Sequence, residues 1–144
     1  MEITLARSAD LPALLDLYRH LNPADAPLRE PEQVWEKMLA HPGLSCIVVS
    51  DDGVLVSSCC IVIVPNLTRG GRPYALIENV VTHPGFRRCG FGRAAIMRAL
   101  AIAWEADCYK VMLLSGSKRL EAHQFYLQCG FRSDEKTGFV ARPS

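Results

Sequence analysis

Two glycines, Gly90 and Gly92, stand where a Pro/Gly turn passes into a helical pattern, and that spacing suits an anion site. The stretch opens as an apolar strand, Ile77 to Val81, turns at His83-Pro84-Gly85, and continues as Arg87-Arg88-Cys89-Gly90-Phe91-Gly92-Arg93 into Ala94-Ala95-Ile96. At a helix N-terminus the first backbone N–H groups lack intrahelical acceptors, and the helix dipole adds roughly half a positive charge. A glycine there lets the main chain approach a phosphate with no Cβ in the way. A Walker loop is excluded, because Gly92 is followed by Arg93-Ala94 rather than Lys-Ser/Thr. Gly90-x-Gly92-x-x-Ala95 fits the dinucleotide fingerprint in outline. That fingerprint sits directly after its strand, however, and wants an acid roughly 20 residues on. Here His83 to Cys89 intervene, and the chain reads Met112-Leu113-Leu114 where the acid should be.

A third arrangement fits. Arg87-x-x-Gly90-x-Gly92, preceded by Val80-Val81-x-x-Pro84, resembles the acetyl-coenzyme A pyrophosphate loop of the GCN5-related N-acetyltransferases (GNAT). About 35 residues on, Ala122-His123-Gln124-Phe125-Tyr126-Leu127-Gln128-Cys129-Gly130-Phe131 resembles that family's second signature, a helix ending in Tyr-x-x-x-Gly-Phe. The resemblance implies an α/β (α+β) fold with a mixed, mostly antiparallel sheet, splayed between its fourth and fifth strands and flanked by about four helices. It implies an acetyl-CoA-dependent N-acetyltransferase in which coenzyme A is the spent acyl carrier.

Moving acetyl from a thioester to an amine needs a neutral amine, a donor for the tetrahedral oxyanion and a proton for the departing thiolate. An alkylammonium resembling lysine has a pKa of about 10.4, so a base or a desolvating site must take its proton. By the resemblance, Glu78 is the candidate base, directly or through water; its plain alternative is an edge carboxylate facing solvent. Backbone N–H groups near Val80 are the expected oxyanion donors, and Asn79 beside them is either structural or in touch with substrate. Tyr126 matches the family tyrosine whose hydroxyl protonates the sulfur; its alternative is a place in the apolar stripe of its helix. Val80, Val81, Arg87, Arg88, Cys89, Gly90, Phe91, Gly92 and Arg93 are the expected coenzyme contacts, mostly through the backbone. Arg119 departs from the pattern, since many members carry asparagine there. Similar Lys-Arg pairs occur in relatives resembling aminoalkylphosphonate acetyltransferases, so Lys118-Arg119 either binds phosphate or an anionic acceptor, or is a solvated helix start. His83 and His123 read as local hydrogen-bonding residues.

Composition bounds these readings. A chain of 144 residues that is 49% apolar is long enough for one domain with its own core, residues 1–144. A net charge of +1 offers no face for nucleic acid, no 18-residue apolar run marks a membrane span, and the N-terminus lacks a signal peptide's pattern. The six cysteines form no C-x-x-C pair, so no metal is expected. Cys46, Cys59 and Cys60 lie in apolar strand runs, where a reduced buried thiol is the ordinary state and the cytoplasm the expected compartment. Family members are often homodimers. The acceptor expected is a small-molecule amine; the rival readings are a silent acyl-CoA sensor, or acetylation of a protein- or tRNA-borne amine.

The elements follow from periodicity. Ile3–Leu5 reads as a strand, and Ser8 or Asp10 caps a helix with Leu11, Leu14, Leu15 and Tyr18 inward. Three prolines make residues 21–31 a loop, and a helix over 32–40 places Val34, Trp35, Met38 and Leu39 on one side. Leu44–Ser50 and Val54–Val64 read as a hairpin turning at Asp51-Asp52-Gly53, followed by a mobile loop, Asn66–Pro73. Tyr74–Val81 is a strand. A helix from about Gly90 to Ala106 buries Ile96, Leu100 and Ala103. Tyr109–Leu114 reads as a central strand, Leu120–Cys129 as a helix stopped by Gly130, and Phe131-Arg132 and Thr137–Ala141 as closing strands.

Overall fold

The alternation of apolar residues in the first half builds one sheet. In the computed structural model, which describes residues 1–144, the chain divides into two compact units, Met1–Met112 and Leu113–Ser144. The first holds β1 (Glu2–Leu5), α1 (Leu11–Tyr18), α2 (Pro31–Ala40), β2 (Leu44–Asp51), β3 (Val54–Val64), β4 (Tyr74–Thr82), α3 (Phe91–Glu105) and β5 (Val111–Met112). The strands lie in the order β1-β2-β3-β4-β5, antiparallel except for the parallel pair β4–β5. The β2–β3 hairpin turns at Asp52-Gly53, both at positive φ (49° and 78°), as a two-residue turn with the sheet's own twist requires.

β2 and β3 are apolar on both faces because both faces are covered. On one, Leu14 of α1 and Trp35 of α2 pack against Cys46, Val48 and Cys60. On the other lies α3, whose Ala95, Ile96, Ala99 and Ala103 are buried and whose Ala95 carbonyl accepts from Cys59 Sγ at 3.6 Å. Small residues on the inward stripe of α3 let the helix approach the sheet closely. The two buried hydroxyls of β3 are satisfied: Ser58 Oγ donates to Ile47 O at 2.7 Å, and Ser57 Oγ to Val81 O at 3.0 Å.

Several expectations require correction. Asp10 stands at the N-cap of α1 but makes no side-chain capping bond; its carboxylate instead accepts from Arg7 N–H at 2.7 Å and closes a short 3-10 turn over Ser8–Asp10. Leu17 rather than Leu11 joins Leu14 as a fully buried residue of α1. Of the expected inward face of α2, Val34 and Leu39 are exposed; one sheet face has room for the side carrying Trp35 and Met38 only. In α3, Ala99 takes the buried place expected for Leu100, which is half-buried. Residues 66–73 are stapled rather than mobile. Asn66 Nδ2 donates to Thr68 O and Arg72 O, both at 3.1 Å, while Arg72 reaches Asp107 O at 3.2 Å and Cys108 O at 3.3 Å.

β5 is two residues long, not six, and lies at the sheet's edge. Val111 and Met112 pair with Ala75 and Leu76, and no strand pairs with β4 on that side beyond Leu76. The splay between the fourth and fifth strands is therefore present, and it shortens the strand that apolar character alone made long and central. The second unit holds α4 (Leu120–Gln128). Neither Phe131-Arg132 nor Thr137–Ala141 forms a strand: no neighbour offers them a ladder, and Phe139 and Val140 are exposed.

Candidate active site

β4 carries the first part of the site, and its geometry turns on Asn79. Glu78 pairs with Cys60 across the β3–β4 ladder and Val81 pairs with Ser58, so Asn79 and Val80 together face the single residue Cys59. This is a β-bulge, and Asn79 supplies its left-handed residue at φ 54°. The extra residue shifts the parity of the strand, so that Glu78 and Val81 lie on the face of Cys60 and Ser58. It also takes the amides of Asn79 and Val80 out of the regular ladder, on a strand with no further neighbour. Sequence reasoning missed the bulge. The signal was there: an asparagine, poor in strands and tolerant of left-handed backbone, sits inside an apolar run. Glu78 is exposed and makes no hydrogen bond or ion pair with the protein; Val80 is half-buried and Val81 buried.

The loop after β4 is built on aromatic contacts. His83 Nδ1 accepts from Gly85 N–H at 3.0 Å, and Phe86 N–H donates to His83 O at 2.9 Å. The rings then run edge to face, His83 to Phe86 at 5.5 Å and Phe86 to Phe91 at 6.0 Å. Phe91, only 8% exposed, fixes where α3 begins. Gly90 caps the helix at φ 86°, with no atom within 4 Å of where a Cβ would stand. The first intrahelical bond runs from Ala94 N–H to Gly90 O at 3.0 Å, which leaves the amides of Phe91 and Gly92 without intrahelical acceptors. Arg87, Arg88, Cys89 and Arg93 are exposed around this turn, Arg88 at φ 61°. An open cradle of amides at a helix N-terminus fits a pyrophosphate.

Within the second unit, Tyr126 is half-buried, its ring 5.2 Å from Phe125 and 6.0 Å from Phe131. Both aromatics of the adjacent pair are thus partly covered. The end of α4 explains the Tyr-x-x-x-Gly-Phe spacing. Gly130 at φ 97° donates to Leu127 O at 3.0 Å, and Phe131 N–H to Tyr126 O at 3.1 Å, the paired bonds of a Schellman stop. Phe131 then lands on the Tyr126 ring. Arg119 is the N-cap of α4 and is exposed. His123 Nε2 lies 2.7 Å from Gly116 O, so His123, like His83, makes the local bond expected of it.

A sequence model of the acetyltransferase (GNAT) family matches residues 11–131. The chain belongs to the GNAT family. It is 33% identical over 146 aligned residues to a glucosamine 6-phosphate N-acetyltransferase of Trypanosoma brucei brucei, spanning 94% of this chain and 92% of that one. A structure from Agrobacterium tumefaciens str. C58, provisionally named an acetyltransferase, superposes with a TM-score of 0.95 at 46% identity, covering 99% and 100% of the two chains. A Trypanosoma brucei acetyltransferase structure superposes at 0.81 with 33% identity, covering 98% and 99%. This GNAT chain is an acetyl-CoA-dependent N-acetyltransferase.

Proposed function

We propose that this GNAT protein acetylates the primary amine of a small molecule by direct attack within a ternary complex, and that the acceptor is an amino sugar phosphate or a chemically similar anionic amine. The observation carrying the reading is the bulge: Glu78 stands immediately ahead of the displaced Asn79 and Val80 amides, on the strand whose end feeds the α3 N-terminus. Glu78 takes the amine's proton, directly or through water. The bulge amides receive the oxyanion, since they are held by the sheet and need no reorganisation when charge develops. The amides of residues 88–93 hold the pyrophosphate, with Arg87 beside them. Tyr126 gives the thiolate its proton, and Arg119 is a phosphate contact, either of the coenzyme or of the acceptor. The two units act as one catalytic domain over residues 1–144, a reading supported by a family match that runs unbroken past Met112. The acceptor class is supported by the trypanosomal relative, whose name gives glucosamine 6-phosphate as substrate.

Thiol release from acetyl-CoA against a panel of glucosamine 6-phosphate, glucosamine, aminoalkylphosphonates, aminoglycosides and amino acids tests this. Turnover should be confined to acceptors carrying both an amine and an anionic group. Acetyl-CoA at 100 times its Kd should stabilise the fold by about 2.7 kcal/mol. Stabilisation without turnover on any amine would favour the acyl-CoA sensor instead.

A further inference from the structure

Cys46 and Cys60 lie opposite each other on β2 and β3, and neither has a part in acetyl transfer. The ladder places them favourably for a bond. Ile63 N–H donates to Gly43 O at 2.8 Å, so Gly43–Ile63 is a hydrogen-bonded pair, and alternation makes Cys46–Cys60 a non-hydrogen-bonded one. Consistent with this, Cys46 O turns the other way and accepts from Ala6 N–H, just past the end of β1, at 2.7 Å. Antiparallel residues in that setting have Cα atoms about 4.5 Å apart, inside the range a disulfide spans. The two thiols share the face covered by α1 and α2, where Ser58 Oγ lies 3.7 Å from Cys46 Sγ and Tyr18 Oη 3.8 Å from Cys60 Sγ.

The pair is also reachable. A surface cavity of about 120 Å³ is lined by Ala6, Trp35, Met38, Leu44 and Cys46, so one residue of the pair borders it. Trp35 Nε1, buried and without a hydrogen-bond partner, leaves a donor unclaimed on a residue of the same wall. The hydrogen bond from Cys60 pulls the Cys46 thiol down to about 7 against the cost of burial, with Ser58 and Tyr18 also lowering it. Cys60, bonded to Cys46 and buried, is pushed up. Cys46 is thus the more readily ionised thiol, on a residue that borders the cavity, and Cys60 opposite it keeps its proton. Cys59, on the opposite face, is pushed up to about 12 by burial and stands outside this arrangement.

We propose that Cys46 and Cys60 form an oxidisable dithiol site that takes a small hydroperoxide through this cavity. The Cys46 thiolate attacks one peroxide oxygen: an S–O bond forms, the O–O bond breaks, and the alcohol or water leaves with a proton. Cys60 then attacks the sulfenic sulfur and loses its proton, the hydroxyl departs as water, and the S–S bond closes. Two thiols are oxidised by two electrons and one peroxide is reduced; a small dithiol reverses the step. The cross-link takes Cys60 from Tyr18, whose hydroxyl lies 3.8 Å from its sulfur, and Cys60 is the ladder partner of Glu78. Slower acetyl transfer in the oxidised form follows, a consequence that rests on the proposed role of Glu78, as the cross-link does not.

Reduced protein titrated with hydrogen peroxide should lose two of its six thiols and become lighter by two hydrogens. Peptide mapping should find Cys46 joined to Cys60, and dithiothreitol should restore both thiols. Cys60→Ser should trap a dimedone-reactive sulfenic acid on Cys46, and Cys89→Ser, which removes the exposed thiol, should still form the Cys46–Cys60 cross-link. An unchanged thiol count, oxygen adducts on Cys46 without a cross-link, or a bridge through Cys89 would each overturn the proposal. Mapping the unmutated protein decides this even where a core variant fails to fold. A mapped cross-link with unchanged turnover would overturn the Glu78 consequence alone.

Discussion

Glu78 and Gly90 have in common that backbone geometry, rather than a network of side chains, decides what each can do. Glu78 is exposed and has no partner within the protein, so substitution should leave the fold intact while removing a base. Glu78→Gln is expected to lower kcat by about 10²–10⁴-fold. The deficit should shrink at high pH, where the amine loses its own proton. An unchanged pH–rate profile in this variant would show that the base lies elsewhere. Gly90 has open space where a Cβ would go, but its φ of 86° is a conformation other residues enter at a cost of about 1–2 kcal/mol. Gly90→Ala should therefore raise the KM for acetyl-CoA, with an accompanying loss of stability no larger than that strain. Calorimetric titration with coenzyme A separates the two effects.

Among the elements, β4 illustrates how one extra residue re-aims a strand. Two-residue alternation predicts opposite faces for residues 78 and 81, yet the bulge returns both to the same face. Glycine adopts the left-handed conformation of Asn79 without strain, and a β-branched residue does so poorly. Asn79→Gly should thus preserve turnover within a few-fold. Asn79→Val should lose stability by on the order of 1–3 kcal/mol or lose the bulge altogether. Near-normal melting with kcat reduced in the valine variant alone would mark the bulge as the catalytic feature. If the glycine variant were equally inactive, the asparagine side chain would be the group in touch with substrate. The staple of Asn66 and Arg72 over residues 66–73 carries a similar lesson. A glycine-rich loop reads as mobile until Asn66 donates to its carbonyls from within and Arg72 donates to a carbonyl far along the chain.

For the molecule as a whole, the buried acids of the core set how stability responds to alkali. Burial pushes Tyr18 and Cys59 upward, Cys59 to about 12 from 9.0, and Cys60 is raised with them. Above pH of about 9 the unfolded chain releases protons that the folded chain keeps, so unfolding becomes easier as pH rises. Cys59 alone should lower stability by roughly 1.4 kcal/mol per pH unit between about 9 and 12. Urea unfolding across that window should show the decline, and Cys59→Ala should flatten it by one proton. Below about 9 the lowered Cys46 acts with the opposite sign, since there it is the folded chain that gives up a proton first. Stability should accordingly peak near the ordinary thiol range rather than at neutrality.

The sequence by itself determined whatever is written in local backbone chemistry: the Asp52-Gly53 turn, the Gly90 cap, the Gly130 stop and the apolar runs of β2 and β3. Each requires a particular φ or a particular face, and few residue types satisfy it. The glycine-capped start of α3 was legible for the same reason, as was the chain's kinship with acetyltransferases. Tertiary structure alone decided what depends on having a neighbour. A strand exists only where another backbone takes its hydrogen bonds, so Tyr109–Leu114 shrank to Val111–Met112 and the two closing strands did not form. An apolar side chain is buried only where a surface waits for it, so Val34 and Leu39 stayed in water while Trp35 did not. The parity of β4 and the approach of Cys46 to Cys60 are likewise matters of register. Register is settled by the whole sheet, because a ladder stores its information in the partner strand.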